Sequence, residues 1–447
     1  MSPNRRLGFV FARSLLAGLV AVSAFSLDHG TAAAGSRSSI LWGVAESGLE
    51  LGRGMKAGTN YPIPDPSYYL QHDVRLIRLP FQISRLQPRP QAPLDPAFVH
   101  VMKTIVRLDQ DHGVVTVIDP HGYGFYNIDG QPADLLTNPA ASANYIDLMR
   151  RIGATFAHDD VAIGLMNEPH TGSDLAYSAI WNQAIAAIRA AGFSGTILVP
   201  HAHWSNAADI SPEHPFTGQI IDSLHNWVLE VHLYLDPNSS GTYRQPVPSA
   251  DIGRARLAGA IAWSRQSGIK LFLGETGAPA DSMGMSALHV VLSEVAAAPD
   301  VFWGIALWGA GAWWKPDYPM RLDPVGGVAR PQFVALEDTF VPELLYFAKP
   351  AGQAAARVTV FVDGHTIAPD LGITADVTGP PQSYPIAASL PPGAHRIDIR
   401  PVPAALDLTA YVLASTWHGV SDSRDAFGVI AGHDYSFAIT VPPGGEP

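Results

Sequence analysis

Two glutamates in similar surroundings are the residues best placed to do chemistry. The first closes the run Val161-Ala-Ile-Gly-Leu-Met-Asn-Glu-Pro-His170. Its apolar part, Val161 to Met166, is continuous rather than alternating, as expected of a strand covered on both faces. Asn167-Glu168-Pro169 ends it, because proline cannot donate to a ladder. The second glutamate, Glu275, follows the short apolar run Lys270-Leu-Phe-Leu-Gly274 and precedes Thr276-Gly277. A carboxyl held against apolar walls keeps its proton to higher pH, as a general acid must. One such glutamate alone reads as a charge facing solvent. Two, at the C-terminal ends of two buried strands, suggest two-carboxylate glycoside hydrolysis.

Other polar residues fall at the ends of other apolar runs. They occur in Leu76-Ile-Arg78-Leu-Pro-Phe81, Asp119-Pro-His121-Gly-Tyr123 and Glu230-Val-His232-Leu-Tyr234. His232 and Tyr234 are two apart, so on a strand both face one way. Arg78 carries a permanent charge that keeps a neighbouring carboxylate ionised and oriented, or else makes an ordinary structural ion pair. The Asn167 amide can bond a sugar 2-hydroxyl or cap its strand. Neutral His121 can bind a sugar hydroxyl or sit as a core histidine. Trp308 offers a flat indole for the apolar face of a pyranose. Gly309-Ala-Gly-Ala-Trp313-Trp314 extends that aromatic surface. Trp42 and Trp204 lie at or just beyond strand ends and read as groove or core alike. Trp303, earlier on its strand, reads as core.

These motifs, in this order, resemble family 5 of the glycoside hydrolases, the large cellulase family, over most of Leu41–Tyr318. Within that family the likeness is to bacterial and fungal endo-β-1,4-glucanases. The resemblance implies a retaining mechanism, with Glu168 as acid/base and Glu275 as nucleophile. The residues alone allow the two roles to be exchanged. Retention implies carboxyl groups roughly 5–5.5 Å apart. The resemblance further implies that His232 tunes Glu168, that Tyr234 bonds Glu275, and that no cofactor takes part. The expected activity is endo-cleavage of cellulose-like β-glucans. The alternatives are the same mechanism on β-mannan, xyloglucan or another β-glucan, and a glycan-binding protein that keeps the fold without activity. Two segments depart from the family pattern: Gly43-Val-Ala-Glu46-Ser-Gly-Leu-Glu50 and His201-Ala-His-Trp204. Both touch distal subsites and leave the polymer open.

The elements that must position these groups alternate. Strands are expected at Leu41–Val44, Val74–Leu79, Val114–Ile118, Ala162–Met166, Thr196–Val199, Val228–His232, Leu271–Gly274 and Phe302–Leu307. Helical patterns lie between most of them, at Asp95–Asp111, Ser142–Phe156, Ala176–Ala191 and Asp251–Ser267. Asp95-Pro96 is a cap followed by a first-turn proline. Eight such units predict a (β/α)8 barrel. The competing doubly wound sheet would normally want a glycine-rich phosphate loop after its first strand, and there is none. Beyond about Pro350 helical periodicity disappears. Short strands are expected at Arg357–Val362, Ile373–Val377, His395–Arg400, Tyr411–Thr416 and Tyr435–Val441. They predict a small β-sandwich. Its role is structural, or it is a carbohydrate-binding module using Tyr384, Tyr411 or Trp417.

The chain has 447 residues, 47% of them hydrophobic and 15% charged, which argues against disorder. A formal net charge of −12 argues against nucleic acid or an anionic membrane surface as partner. A β-linked polysaccharide or oligosaccharide is the expected partner, and a monomer the expected state. Residues 1–34 read as an export signal, with Arg5-Arg6, an apolar Leu15–Phe25 core and small residues at Thr31-Ala-Ala-Ala34. A secreted or periplasmic protein follows, with a membrane anchor as the alternative. The division is then 1–34 signal, 35–346 catalytic barrel and 347–447 β-sandwich. Cysteine is absent, which excludes disulfides and thiolate-held metal. The histidines predict no metal site: His201-Ala-His203 is the only close pair, and no H-E-x-x-H occurs. They read as solvated loop residues.

Overall fold

A computed structural model describes residues 40–340, 343–348, 356–373, 382–387, 393–401, 409–415, 429–431 and 435–441. The expected export signal lies outside the described residues. Among those described, no helix is long and apolar enough to cross a membrane.

Eight parallel strands close into a barrel: β1 Leu41–Glu46, β2 Leu76–Phe81, β3 Val115–Pro120, β4 Val161–Gly164, β5 Ile197–Pro200, β6 Trp227–Tyr234, β7 Leu271–Gly277 and β8 Phe302–Ala310. Each strand pairs with its neighbours in the sequence, and β1 pairs with β8 to complete the circle. The expected (β/α)8 architecture is therefore the one observed. Helices Pro96–Asp111, Pro139–Thr155, Asp174–Ala190 and Ile252–Ser267 lie where helical patterns were read. The first is capped as its sequence implies, the Phe98 N–H donating to Asp95 Oδ1 at 2.8 Å. The second starts three residues before the expected Ser142, because Asn138-Pro139 repeats the same cap-and-proline signal. Helices Ser282–Ala296 and Pro331–Phe340 were not read from the sequence.

The barrel interior is layered. Leu76, Val117, Ala162, Leu198, Val228, Phe272 and Ala306, one from each of β2 to β8, form a buried apolar plug. With period two, the next inward position toward the C-terminal ends falls at Arg78, Asp119, Gly164, Pro200, Glu230, Gly274 and Trp308. The polar layer thus rests directly on a rigid hydrophobic one, at the face where barrel sites are built.

The described strands beyond residue 342 form two four-stranded sheets. Glu343–Ala348 straddles the junction expected at 346/347, and it pairs antiparallel with Gln382–Ala387 and Thr409–Ser415. Of the strand expected at Ile373–Val377 only Ile373 is among the described residues, and it ends the strand His365–Ile373. That strand forms a hairpin with Ala356–Val362 through Asp363-Gly364, whose φ values of 49° and 81° suit a type I′ turn. Tyr384 and Tyr411 fall on strands of one sheet, while Trp417 lies outside the described residues.

Candidate active site

One buried arginine ties the mouth of the barrel together. Arg78, fully buried on β2, donates from Nη1 to Glu275 Oε1 at 2.8 Å and from Nε to Glu230 Oε1 at 3.2 Å. Its Nη2 donates to Asn167 Oδ1 at 2.7 Å and meets Asp119 Oδ2 at 3.1 Å. A single guanidinium therefore spans groups from β3, β6, β7 and the segment after β4. Its planar fork of donors suits that task, which lysine's compact ammonium does not.

Glu275 owes its direction to a bulge. Val231 pairs with Leu273 and His232 with Glu275, so Gly274 is the extra residue on β7. Phe272 and Gly274 point inward. Without the bulge Glu275 would point out toward the helices. Gly274 is also required by space, because a Cβ there would lie 2.3 Å from Glu230 Oε1. The turned-in carboxylate is held at both oxygens, by Arg78 on Oε1 and by the Tyr234 hydroxyl on Oε2 at 2.7 Å.

Glu168 reaches the same space from a residue with φ of 44°, the left-handed region that non-glycine residues rarely occupy. Its Oε1 lies 2.9 Å from His232 Nδ1. The His232 ring, rather than the apolar walls expected from the sequence, is what faces this carboxyl. The side chain is 16% exposed, so it opens to the cleft. One oxygen from each glutamate and a His232 nitrogen lie within 4.8 Å of one another.

His232 Nε2 lies 3.3 Å from Glu230 Oε1, so the ring sits among three carboxylates. Burial alone would push its pKa down. The charges of Glu275 and Glu168 and the hydrogen bonds to Glu168 and Glu230 prevail, and push it up to about 10. His121 meets Asp119 Oδ2 through Nδ1 at 3.0 Å and lies 3.3 Å from Asn167 Nδ2 through Nε2. Burial opposes its protonation, but Asp119 beside it raises its pKa. Burial would likewise raise Asp119, yet Arg78 and His121 hold it below the usual range.

The aromatic residues divide by the strand face they occupy. Trp308 is 9% exposed and packs with Ala45, Tyr234 and Met320. Its ring stacks on His121 at 5.9 Å and meets Trp314 edge-on. Trp204 is 50% exposed and stacks on His170 at 3.8 Å, on the rim. Trp42 is not a groove residue. It is 3% exposed and stacks on Phe340 of the last barrel helix at 6.1 Å. Period two explains this: Leu41 and Ala45 point inward, so Trp42 points out. Trp303 is partly buried and packs edge-on against Phe272 at the edge of the apolar interior layer. Trp313, Trp314, Lys315, Asp317, Tyr318 and Pro319 line a cavity beside the mouth.

Asp119 and Glu230 were not singled out by the sequence reading, although the signal was present. Each lies two residues before a residue that was, His121 and His232, and so shares its face. His201 also departs from expectation. It is buried, with Nδ1 in hydrogen-bond contact with Asp174 Oδ1 at 2.9 Å, rather than solvated.

Comparison with known proteins agrees with this geometry. Residues 68–310 match the family model described as Cellulase (glycosyl hydrolase family 5). The endo-beta-1,4-glucanase B of Aspergillus niger is 29% identical over 339 residues, covering 74% of this chain and 99% of its own. A crystal structure of an endo-beta-1,4-glucanase from Xanthomonas axonopodis pv. citri, carrying a triple mutation, is 32% identical. It superposes with a TM-score of 0.62, covering 67% of this chain and 98% of that one. XacCel5A in complex with cellopentaose is 31% identical with a TM-score of 0.61, covering 67% of this chain and 99% of that one.

Proposed function

The chain belongs to glycosyl hydrolase family 5, and on that premise we propose that it cleaves internal β-1,4-glucosidic bonds of cellulose-like glucans with retention, using Glu275 as nucleophile and Glu168 as acid/base. The observation that carries the assignment is the asymmetry between the two carboxyls. Glu275 is held through both oxygens by Arg78 and Tyr234, which fixes the direction of the carboxyl as a nucleophile requires. Glu168 is bonded through Oε1 to His232 and stays partly open to the cleft. That arrangement suits a group that must meet a leaving oxygen and then a water.

In the first step Glu275 attacks the anomeric carbon as the glycosidic C–O bond breaks, and Glu168 gives its proton to the departing oxygen. In the second, Glu168 takes a proton from water as the water displaces Glu275 from the same carbon. One oxygen of Glu168 lies within 4.8 Å of one oxygen of Glu275, a closeness that supports the short spacing of a retaining pair. His121 and Asn167, fixed by Asp119 and Arg78, are positioned to bind sugar hydroxyls. Trp308, Trp204 and the Trp313–Trp314 loop supply surfaces for pyranose faces. All these groups come from one barrel, consistent with a monomer acting after export.

Glu275→Ala is expected to abolish hydrolysis of an aryl β-cellobioside. Azide should restore turnover and give a glycosyl azide of inverted configuration. Glu168→Ala is expected to lose roughly 10²–10⁴-fold on unactivated β-glucan and less on substrates with good leaving groups. Full activity of untreated Glu275→Ala would overturn the assignment. A panel of defined β-glucan, β-mannan and xyloglucan oligosaccharides tests the polymer.

A further inference from the structure

The loop after β5 holds a second group of chemically active side chains that the hydrolytic reaction does not use. His201, His203 and Asp209 each offer one donor atom, and these atoms lie within 4.8 Å of one another. We propose that these three residues bind a single divalent cation of the zinc class, which braces the loop that presents Trp204. The proposal stands apart from the hydrolytic reading.

The donor set is the first argument. Two imidazoles and one carboxylate suit zinc, which accepts nitrogen and oxygen ligands in a four-coordinate shell and leaves one position for water. Calcium and magnesium want shells made almost wholly of oxygen. The second argument is the state of His201. Its Nδ1 meets Asp174 Oδ1 at 2.9 Å, and that same oxygen accepts the Ala202 N–H at 2.8 Å. A histidine fixed by a carboxylate through one nitrogen is oriented to bind metal through the other. That other nitrogen, Nε2, is buried and has no hydrogen-bond partner, and His201 as a whole is only 6% exposed. An orphaned buried nitrogen is costly, and a bound cation would satisfy it.

The spacing is close to what an ion needs. His203 Nδ1 and Asp209 Oδ2 are 3.9 Å apart, too far for a hydrogen bond. Zinc bonds of about 2.0–2.2 Å place ligand atoms roughly 3.3–3.5 Å apart. The His203 and Asp209 side chains are 61% and 42% exposed, so small rotations close the gap.

The loop also has a reason to be braced. His203, Trp204 and Ser205 have φ values of 60°, 62° and 54°, three consecutive non-glycine residues in the left-handed region. Such a turn persists only where its surroundings over-determine it. An ion joining residues 201, 203 and 209 would clamp it from both sides. The turn stacks Trp204 on His170, and Ser205 O accepts the N–H of His232, the partner of Glu168.

The test uses the full chain after chelator treatment, titrated with zinc chloride by calorimetry. One saturable site per chain and a raised Tm are expected. His203→Asn and Asp209→Asn should abolish that site. Both positions are exposed, and asparagine tolerates the left-handed backbone at 203, so both variants should fold. Asp174→Asn should weaken binding by about 10–100-fold. A Glu168→Gln/Glu275→Gln double variant separates this site from the other donor group among the described residues, formed by Glu168, His232 and Glu275. Zinc binding should persist in it, and anomalous scattering should place the ion on His201 Nε2. Absence of saturable binding, binding that survives His203→Asn, or zinc located only among Glu168, His232 and Glu275 would each overturn the proposal.

Discussion

His232 shows how single residues here act through charge. Its imidazole sits among Glu168, Glu230 and Glu275, and its pKa is pushed up to about 10 from an ordinary value near 6.5. A raised folded-state pKa stabilises the protein fully below the unfolded value. That contribution is lost as pH rises through the folded one. The Tm advantage of wild type over His232→Gln is therefore expected to be largest near pH 6 and to shrink toward pH 10. A difference that stays constant across that range would remove the ion-pair account. The two tryptophans placed alike by the sequence give a second contrast. Trp204→Ala is expected to raise KM severalfold on oligosaccharides with Tm nearly unchanged, because the ring is half exposed. Trp42→Ala should cost about 3–5 kcal/mol of stability by opening a cavity against Phe340. Its kcat/KM per folded molecule should hold. Melting curves and steady-state kinetics on both variants check the pair.

At the scale of elements, the decisive device is the bulge on β7. It adds Gly274 to the strand, turns Glu275 into the barrel and leaves room for Glu230. A methyl group at this position would strike a carboxylate oxygen that Arg78 and His232 both hold. Gly274→Ala is therefore expected to lower kcat/KM by at least about tenfold and to cost about 1–3 kcal/mol of stability through overpacking. Kinetics and denaturant unfolding measure both. Wild-type kcat/KM in Gly274→Ala would show that the close approach to Glu230 has no catalytic consequence. The capped helices behind the strands carry less information about chemistry. They complete the apolar shell that keeps the polar layer in register.

At the scale of the whole molecule, every candidate catalytic group precedes residue 320, and the last barrel helix ends at Phe340. A cut at 346/347 would split the strand Glu343–Ala348, whose partners among the described residues lie further along the chain. A chain ending at residue 342 is the appropriate truncation. It is expected to hydrolyse short soluble β-glucan oligosaccharides as well, per folded molecule, as the full chain. Comparing pull-down on insoluble cellulose then tests whether the C-terminal strands bind glycan. Reduced turnover of soluble substrate by the folded truncation would show that the C-terminal part reaches the site.

The sequence by itself determined that there are eight strands and which groups lie near their C-terminal ends, although each end falls one to three residues from where it was expected. Continuous apolar runs, cap-and-proline signals and period two are local properties, written within a few residues. They were enough to place Glu168, Glu275, Arg78, His232 and Tyr234 at one face of a barrel. Only the tertiary structure decided that Arg78 meets four partners from across that barrel, because those contacts join residues far apart in the chain. It also decided which way Glu275 points, since a bulge exists only relative to the register of the neighbouring strand. Trp42 and Trp204 looked alike because each lies near a strand end. Burial against Phe340 or exposure on the rim depends on which elements pack nearby. His201 looked solvated for the same reason, and the Asp174 carboxylate that fixes it stands on a helix that precedes β5 in the chain.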